Sequence, residues 1–144
     1  MDNESFMQIS QFGDKFWRNK KGDLHRLDGP AAEFTYGREE WWKNGKLHRL
    51  DGPAVEEKSG YKEWFRNGKY HRLDGPAVET SRGNKFWYQS GKLHRINGPA
   101  VIYANGKKEW HIRGCEFKNK EEFFLNLNKE EKKIALFSED FLNG

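Results

Sequence analysis

The chain lacks most of the features that identify secreted proteins, membrane proteins and common enzymes. Its 144 residues include a single cysteine, Cys115, which excludes an internal disulfide framework and favours a reducing compartment such as the cytoplasm. No long apolar run follows the acidic start of the chain, and we expect neither a signal peptide nor a membrane span. A glycine-rich phosphate loop, a Ser-His-Asp arrangement and a paired-cysteine metal site are also missing from the sequence.

Blocks of like charge are absent as well. The formal net charge is +4, and acidic and basic residues alternate along the chain. This mild basic excess is compatible with an acidic partner but does not require nucleic acid. Aromatic residues make up 15% of the chain, and because each large ring buries much area, they allow a thin, aromatic-rich core.

The strongest positive signal is an internal repeat of 23 residues. The segment His-Arg-Leu-Asp-Gly-Pro-Ala begins at His25, His48 and His71, and His-Arg-Ile-Asn-Gly-Pro-Ala begins at His94. A repeat of fixed short period is one supersecondary unit that must stack on its neighbours, because it cannot bury its apolar face alone. Each copy also carries two glycine turn signals that separate short β-like runs, a pattern that predicts β-hairpins.

These signals predict a mostly β protein, an open, antiparallel, single-layer β-meander of hairpin repeats with a short helical cap. We place a lead-in strand at 1–11, an array of about five hairpins at 12–117 and the helical cap at 118–144. Asn119 and Asn128 each stand three residues before a glutamate, which is the pattern of a capped helix N-terminus. The alternative for this last segment is a separate helix that docks a partner.

The stretch from Trp41 to His48 has the form Trp-x-x-Asn-Gly-Lys-x-His and resembles a MORN repeat. The similarity is strongest to the divergent MORN-variant repeats of bacterial, phage and giant-virus proteins, and it covers residues 12–117. It implies an open β-meander used as a non-enzymatic binding scaffold. It further implies a small phage-type protein that blocks a bacterial protein, such as a defence component. The common His-Gly-x-Gly pattern is replaced here, so lipid binding is not carried over.

Alternation along the strands separates two faces of the sheet. One face holds a nearly invariant tryptophan column, which is predicted to form the core: Trp17, Trp41, Trp64, Trp87 and Trp110. The other holds a column that varies yet stays aromatic and is therefore suited to a ligand, although a ladder of stacked rings is the alternative. We predict a partner-binding surface on this second face, made of Glu40, Trp42, Lys43, Glu63, Phe65, Arg66, Phe86, Tyr88 and His111.

The His-Arg-x-Asp columns are predicted to form a structural network. Its aspartates would accept backbone N–H bonds in the connector, its arginines would pair with carboxylates of adjacent repeats, and its histidines would orient both. Metal binding or acid–base catalysis is disfavoured, since nearly identical copies roughly 10 Å apart would each lack enough ligands. The network comprises His25, His48, His71, His94, Arg26, Arg49, Arg72, Arg95, Asp28, Asp51 and Asp74.

Taken together, these patterns favour a binding protein without catalytic residues, metal or cofactor. The expected partner is a protein, a bacterial host protein if the chain is phage-encoded, and the expected location is then the host cytoplasm. Two alternatives stay open. The arginines and variable aromatics suit the sequestration of a phosphorylated or nucleotide ligand, and the interleaved lysines and aromatics suit nucleic acid.

Overall fold

The computed structural model describes residues 4–143 of the chain. Within that range it forms short antiparallel β-strands followed by three helices. It divides into two compact units, Met1–Tyr70 and His71–Gly144. The prediction of a mostly β, open antiparallel meander with a short helical C-terminal region is confirmed. No helix in the described range is long and apolar enough to cross a membrane.

In the first unit each strand of the meander pairs antiparallel with its neighbour. Its strands are β1 (Phe6–Ile9), β2 (Lys15–Arg18), β3 (Ala32–Glu33), β4 (Arg38–Glu40), β5 (Trp42–Lys43), β6 (Lys46–Leu47), β7 (Val55–Glu57), β8 (Lys62–Glu63), β9 (Phe65–Arg66) and β10 (Lys69–Tyr70). The sheet order is β1-β2-β3-β4-β7-β8, while β5 with β6 and β9 with β10 form two-stranded hairpins. Strand β1 lies in the predicted lead-in segment, of which residues 1–3 fall outside the described range.

The second unit repeats this alternation and ends in helices. Its elements are β11 (Val78–Glu79), β12 (Lys85–Phe86), β13 (Tyr88–Gln89), β14 (Lys92–Leu93), β15 (Val101–Ile102), β16 (Lys108–Ile112), β17 (Cys115–Phe117), α1 (Lys120–Leu125), α2 (Lys129–Leu136) and α3 (Glu139–Leu142). The sheet order is β11-β12-β15-β16-β17, and β13 pairs with β14 separately. Both units are thus built from the same pair of hairpins in each copy.

The chain changes hydrogen-bonding partners at Trp17, Trp41 and Trp87. The N–H of Trp41 donates to the carbonyl of Ala54 (2.7 Å), and its own carbonyl accepts from the N–H of His48 (3.0 Å). Trp41 therefore separates β4, which belongs to the sheet, from β5, which belongs to the small hairpin. The turn of that hairpin has φ of 48° at Asn44 and 72° at Gly45, which explains why an Asn-Gly dipeptide stands there.

Within the repeats, the most deeply buried side chains are small residues that follow each Gly-Pro step. Ala54 and Val55 are completely buried, and the equivalent pairs at 77–78 and 100–101 are buried too. The prediction that the tryptophan column forms the core needs correction, because only Trp110 is buried while Trp17, Trp41, Trp64 and Trp87 are half-buried. The physical reason is visible at Trp41, where an arginine guanidinium, and not a second apolar layer, covers the ring.

The C-terminal helices pack on the last strands of the second unit. Phe123, which is completely buried, and Phe141 contact the ring of Trp110, with centroids 5.0 and 5.8 Å away. The helix starts are the predicted ones: Asn119 Oδ1 accepts the N–H of Glu122, and Asn128 forms a full capping box. The sequence did not predict the third helix, α3, which closes this cluster through Phe141.

We expect the two kinds of tryptophan to differ in their contribution to stability. Trp110→Ala empties an apolar cluster and should lower the free energy of unfolding by about 3–5 kcal/mol. Trp41→Ala removes a half-buried ring and one cation–π contact, and should cost about 1–3 kcal/mol. Urea denaturation followed by circular dichroism measures both values. Equal losses would contradict the assignment of the core to the Ala-Val pairs and the C-terminal cluster.

Candidate binding surface of the repeated motif

The arginine of the repeated motif lies between a tryptophan ring and the backbone of a glycine. In the second copy, the guanidinium carbon of Arg49 is 3.9 Å from the centroid of the Trp41 ring. Nε of Arg49 donates to Asp51 Oδ1 (3.0 Å), and Nη1 donates to the carbonyl of Pro53 (3.1 Å). A Cβ on Gly52 would stand 2.9 Å from the guanidinium carbon. Gly52 therefore leaves the room that this stacked arginine occupies.

The other copies use the same contacts. Arg26 and Arg95 each lie 4.0 Å from the centroid of their tryptophan ring. Each aspartate pairs with the arginine of its own motif, and Arg26 and Arg72 also pair with a glutamate beyond the Gly-Pro step, Glu33 at 3.4 Å and Glu79 at 3.2 Å. The hydrogen bond from that arginine holds the pKa of Asp28, Asp51 and Asp74 below its usual range. In the fourth copy the amide of Asn97 accepts the same bond from Arg95.

The motif histidines have a different task from the one predicted, since each contacts the turn of the following copy. Nδ1 of His48 accepts the backbone N–H of Asn67 at 3.1 Å. The other three make the same bond at 3.0–3.1 Å: His25 to Asn44, His71 to Ser90, and His94 to Arg113. All four donors have a positive φ of 48–53°. An unprotonated Nδ1 in one copy thus holds the strained turn of the next.

The hydrogen bond between the histidine Nδ1 and the turn N–H, which we call the histidine clamp, makes the free energy of unfolding depend on pH. Burial is the main cause that lowers the pKa of His48 and of His94 below the usual value near 6.5. These histidines are therefore protonated more easily in the unfolded chain than in the folded one. The stabilisation is complete above pH 6.5, and it is lost as the pH falls from there through the lower pKa of the folded state.

We expect the double variant His48→Asn, His94→Asn to be less stable at pH 8. It should also lose less stability than the wild type between pH 7 and 5, as measured by thermal unfolding. An unchanged slope would contradict the clamp.

The predicted partner-binding face is largely engaged within the chain. Glu63, Phe65 and His111 are buried, which corrects the prediction that they are available to a partner. Glu63 accepts hydrogen bonds from two tyrosine hydroxyls, those of Tyr61 (2.8 Å) and Tyr70 (2.6 Å). Elsewhere on that face Glu40 is half-buried and accepts the indole N–H of Trp42 at 2.8 Å. Phe86 and Tyr88 are also half-buried, and only Lys43 and Arg66 are exposed.

The exposed apolar residue of the motif is its leucine, which the sequence did not mark as a binding residue. Leu27 is 53% exposed, Leu50 66% and Leu73 71%. In the first unit, motif residues 26–29 and 48–51 line a cleft of about 540 Å³ together with Trp41 and Lys43. We call it the motif cleft. The sequence pattern that indicates this cleft is a leucine between arginine and aspartate at the same position of three copies.

In the fourth copy the C-terminal helices of the same chain contact the motif loop. Nη2 of Arg95 bonds the carboxylate of Asp140 in α3, and Ser138 Oγ donates to the backbone carbonyl of Asn97 at 2.7 Å. Ile96, which stands where the other copies have leucine, packs against the C-terminal cluster. Arg95 is consequently only 7% exposed. The equivalent cleft of the second unit nevertheless stays open, with about 500 Å³ lined by residues 72–76 and 94–97 together with Trp87 and Gln89, and Ile134 and Asp140 contribute to its lining.

Comparison of the sequence with known protein families and with curated proteins finds no match.

Proposed function

We propose that this protein is a non-enzymatic scaffold that binds a protein partner in the motif cleft, and that the partner contributes a short acidic helix. One observation carries the proposal: α3 of the same chain contacts the motif loop of the fourth copy through Asp140 and Ser138, at the edge of the equivalent cleft. Copies that share a sequence and a backbone hydrogen-bonding pattern offer the same groups to a ligand.

The groups that bind α3 have counterparts in the second copy. Arg49 uses Nε and Nη1 for its own motif, and Nη2 is the atom with which Arg95 binds Asp140. The backbone carbonyl of Asp51 corresponds to that of Asn97, which accepts the hydroxyl of Ser138. Leu50 corresponds to Ile96 and is 66% exposed. A ligand that offers a carboxylate, a hydroxyl and an apolar side chain therefore fits this surface.

The charge of the cleft agrees with an acidic ligand. Its lining holds three cations, Arg26, Arg49 and Lys43, and two carboxylates, Asp28 and Asp51, so the difference is one positive charge. Both carboxylates are already bonded to an arginine of the lining. Exposed charge pairs contribute little affinity. The exposed leucines are therefore expected to supply most of the binding energy, while the arginine is expected to orient the ligand.

Membership of the MORN-variant repeats and a bacterial defence protein as the target both stay proposals. The resemblance supports the first, and the second rests on the first. The motif cleft supports only the more general statement, which is binding to protein. A partner that binds through nucleic acid would instead show a steep dependence on salt.

The matched variants Leu50→Asp and Phe137→Asp test the location of the site. Both replace an exposed apolar side chain, and Phe137 is 90% exposed in a segment outside the motif. A partner captured from bacterial lysate and identified by mass spectrometry would be purified and titrated against each full-length variant. We expect Leu50→Asp to weaken binding about tenfold or more, the effect of an interface anchor, with an unchanged melting temperature. Phe137→Asp should bind like the wild type. Equal affinities for both variants would place the site elsewhere.

Asp51→Asn tests the charge of the ligand. In the fourth copy an amide oxygen accepts the same arginine bond, so this variant should fold normally. Because the variant removes a negative charge from the cleft, its affinity for an acidic helix should rise about two- to fivefold at low salt. A labelled peptide of residues 128–143 serves as the probe. The control is the same peptide with Asp140→Asn, which should bind the Asp51→Asn protein no more tightly than the wild type. If the peptide bound Asp51→Asn no better than the wild type, the acidic chemistry would be contradicted, while a partner that depends on Leu50 would still support the cleft.

A further inference from the structure

The last hairpin of the second unit brings together three side chains that can ligate a metal ion. Glu109 and His111 stand two residues apart on β16, and alternation places them on the same face of the strand. Glu116 on β17 is the residue paired with His111 in the antiparallel register. One potential ligand atom from each of these three residues lies within 4.8 Å of the others. The hairpin register therefore assembles the group directly.

His111 is the unusual member of the group. It is only 7% exposed, yet neither of its ring nitrogens has a hydrogen-bond partner among the described residues. Its Nε2 is 3.6 Å from the nearer carboxylate oxygen of Glu109, Oε2. A buried polar atom without a partner costs free energy, and coordination of a cation would remove that cost.

The same positions in an earlier copy show what the histidine changes. There the glutamate is Glu40 and the ring is Trp42, and the indole N–H donates to the carboxylate at 2.8 Å. An indole nitrogen can only donate, whereas an imidazole nitrogen can bind a metal. The last copy thus keeps the glutamate and replaces a pure donor by a ligand.

From this geometry we propose that the hairpin β16–β17 binds one divalent transition-metal ion, Zn²⁺ in the first instance, through Glu109, His111 and Glu116. Imidazole and carboxylate are ligands that zinc accepts, and three protein ligands leave a position for water. Ligand atoms around tetrahedral zinc are roughly 3.3 Å apart, given metal–ligand distances of about 2.0–2.2 Å. The group must therefore contract, and the exposed Glu116 is the side chain able to move.

Other groups facing Glu109 compete with the ion. Lys107 Nζ lies 2.8 Å from Glu109 Oε1, and the hydroxyl of Tyr103 lies 3.3 Å from the same oxygen. The side chain of Lys107 is 64% exposed, so it can withdraw into solvent at little cost. The other carboxylate oxygen of Glu109, Oε2, is the one nearest to His111. A metal ion bound there would have two carboxylates and one neutral imidazole as ligands.

Calorimetric titration of the metal-free full-length protein with zinc chloride tests the site, with the melting temperature recorded in parallel. We expect one ion per chain, a higher melting temperature with the ion present, and a shift of the His111 ring nitrogens in NMR spectra. Glu116→Gln should weaken binding about tenfold or more, because it removes a ligand. Glu121→Gln, which changes an exposed glutamate of α1, should bind as the wild type does.

Two results would overturn the proposal. One is the absence of binding heat together with a doubly protonated His111 ring at neutral pH, which would make the group an ordinary ion pair. The other is equal zinc affinity for Glu116→Gln and Glu121→Gln, which would place any bound zinc elsewhere. A second variant, His111→Gln, keeps a side chain of comparable length and should also lose the zinc-dependent rise in melting temperature.

Discussion

The contact on which each copy depends is the arginine held between an indole ring and a glycine. The guanidinium carbon lies 3.9–4.0 Å from the ring centroid in three copies, where a cation is attracted by the π face. Nε and Nη1 then bond the aspartate or asparagine and the proline carbonyl of the same connector. One side chain thus fixes the shape of the whole loop. It also explains why the tryptophans are half-buried, since a polar group covers them.

A second polar contact connects one copy to the next. The motif histidine accepts the N–H of a turn residue with positive φ, at the same spacing of 19 residues in all four cases. Because the fully buried apolar side chains between strands are small ones such as Ala54 and Val55, apolar packing alone specifies the register weakly. The histidine bond specifies it by hydrogen-bonding geometry, and this is the origin of the expected sensitivity to acid.

The contact between α3 and the motif loop of the fourth copy is the basis of the proposed function. In the fourth copy Asn97 replaces the aspartate, and the carboxylate of Asp140 reaches Arg95 without facing a like charge. The motif cleft keeps both aspartates and both exposed leucines. A carboxylate that reaches Arg49 would therefore stand near Asp51, although the lining as a whole has one excess positive charge. Replacing that single aspartate is expected to change the affinity of the cleft for an acidic helix.

The sequence by itself determined the features that depend on neighbours along the chain. The period, the turns at Asn44 and the helix start at Asn128 follow from the sign of φ and from bonds between a side chain and the nearby backbone. Alternation also showed which residues share a face. Only the tertiary structure decided what covers each face: an arginine over Trp41, two tyrosine hydroxyls bonded to Glu63, and α3 against the motif loop of the fourth copy. In an open sheet both faces are accessible, so the elements that return over them, and not the pattern of the strand, set the burial.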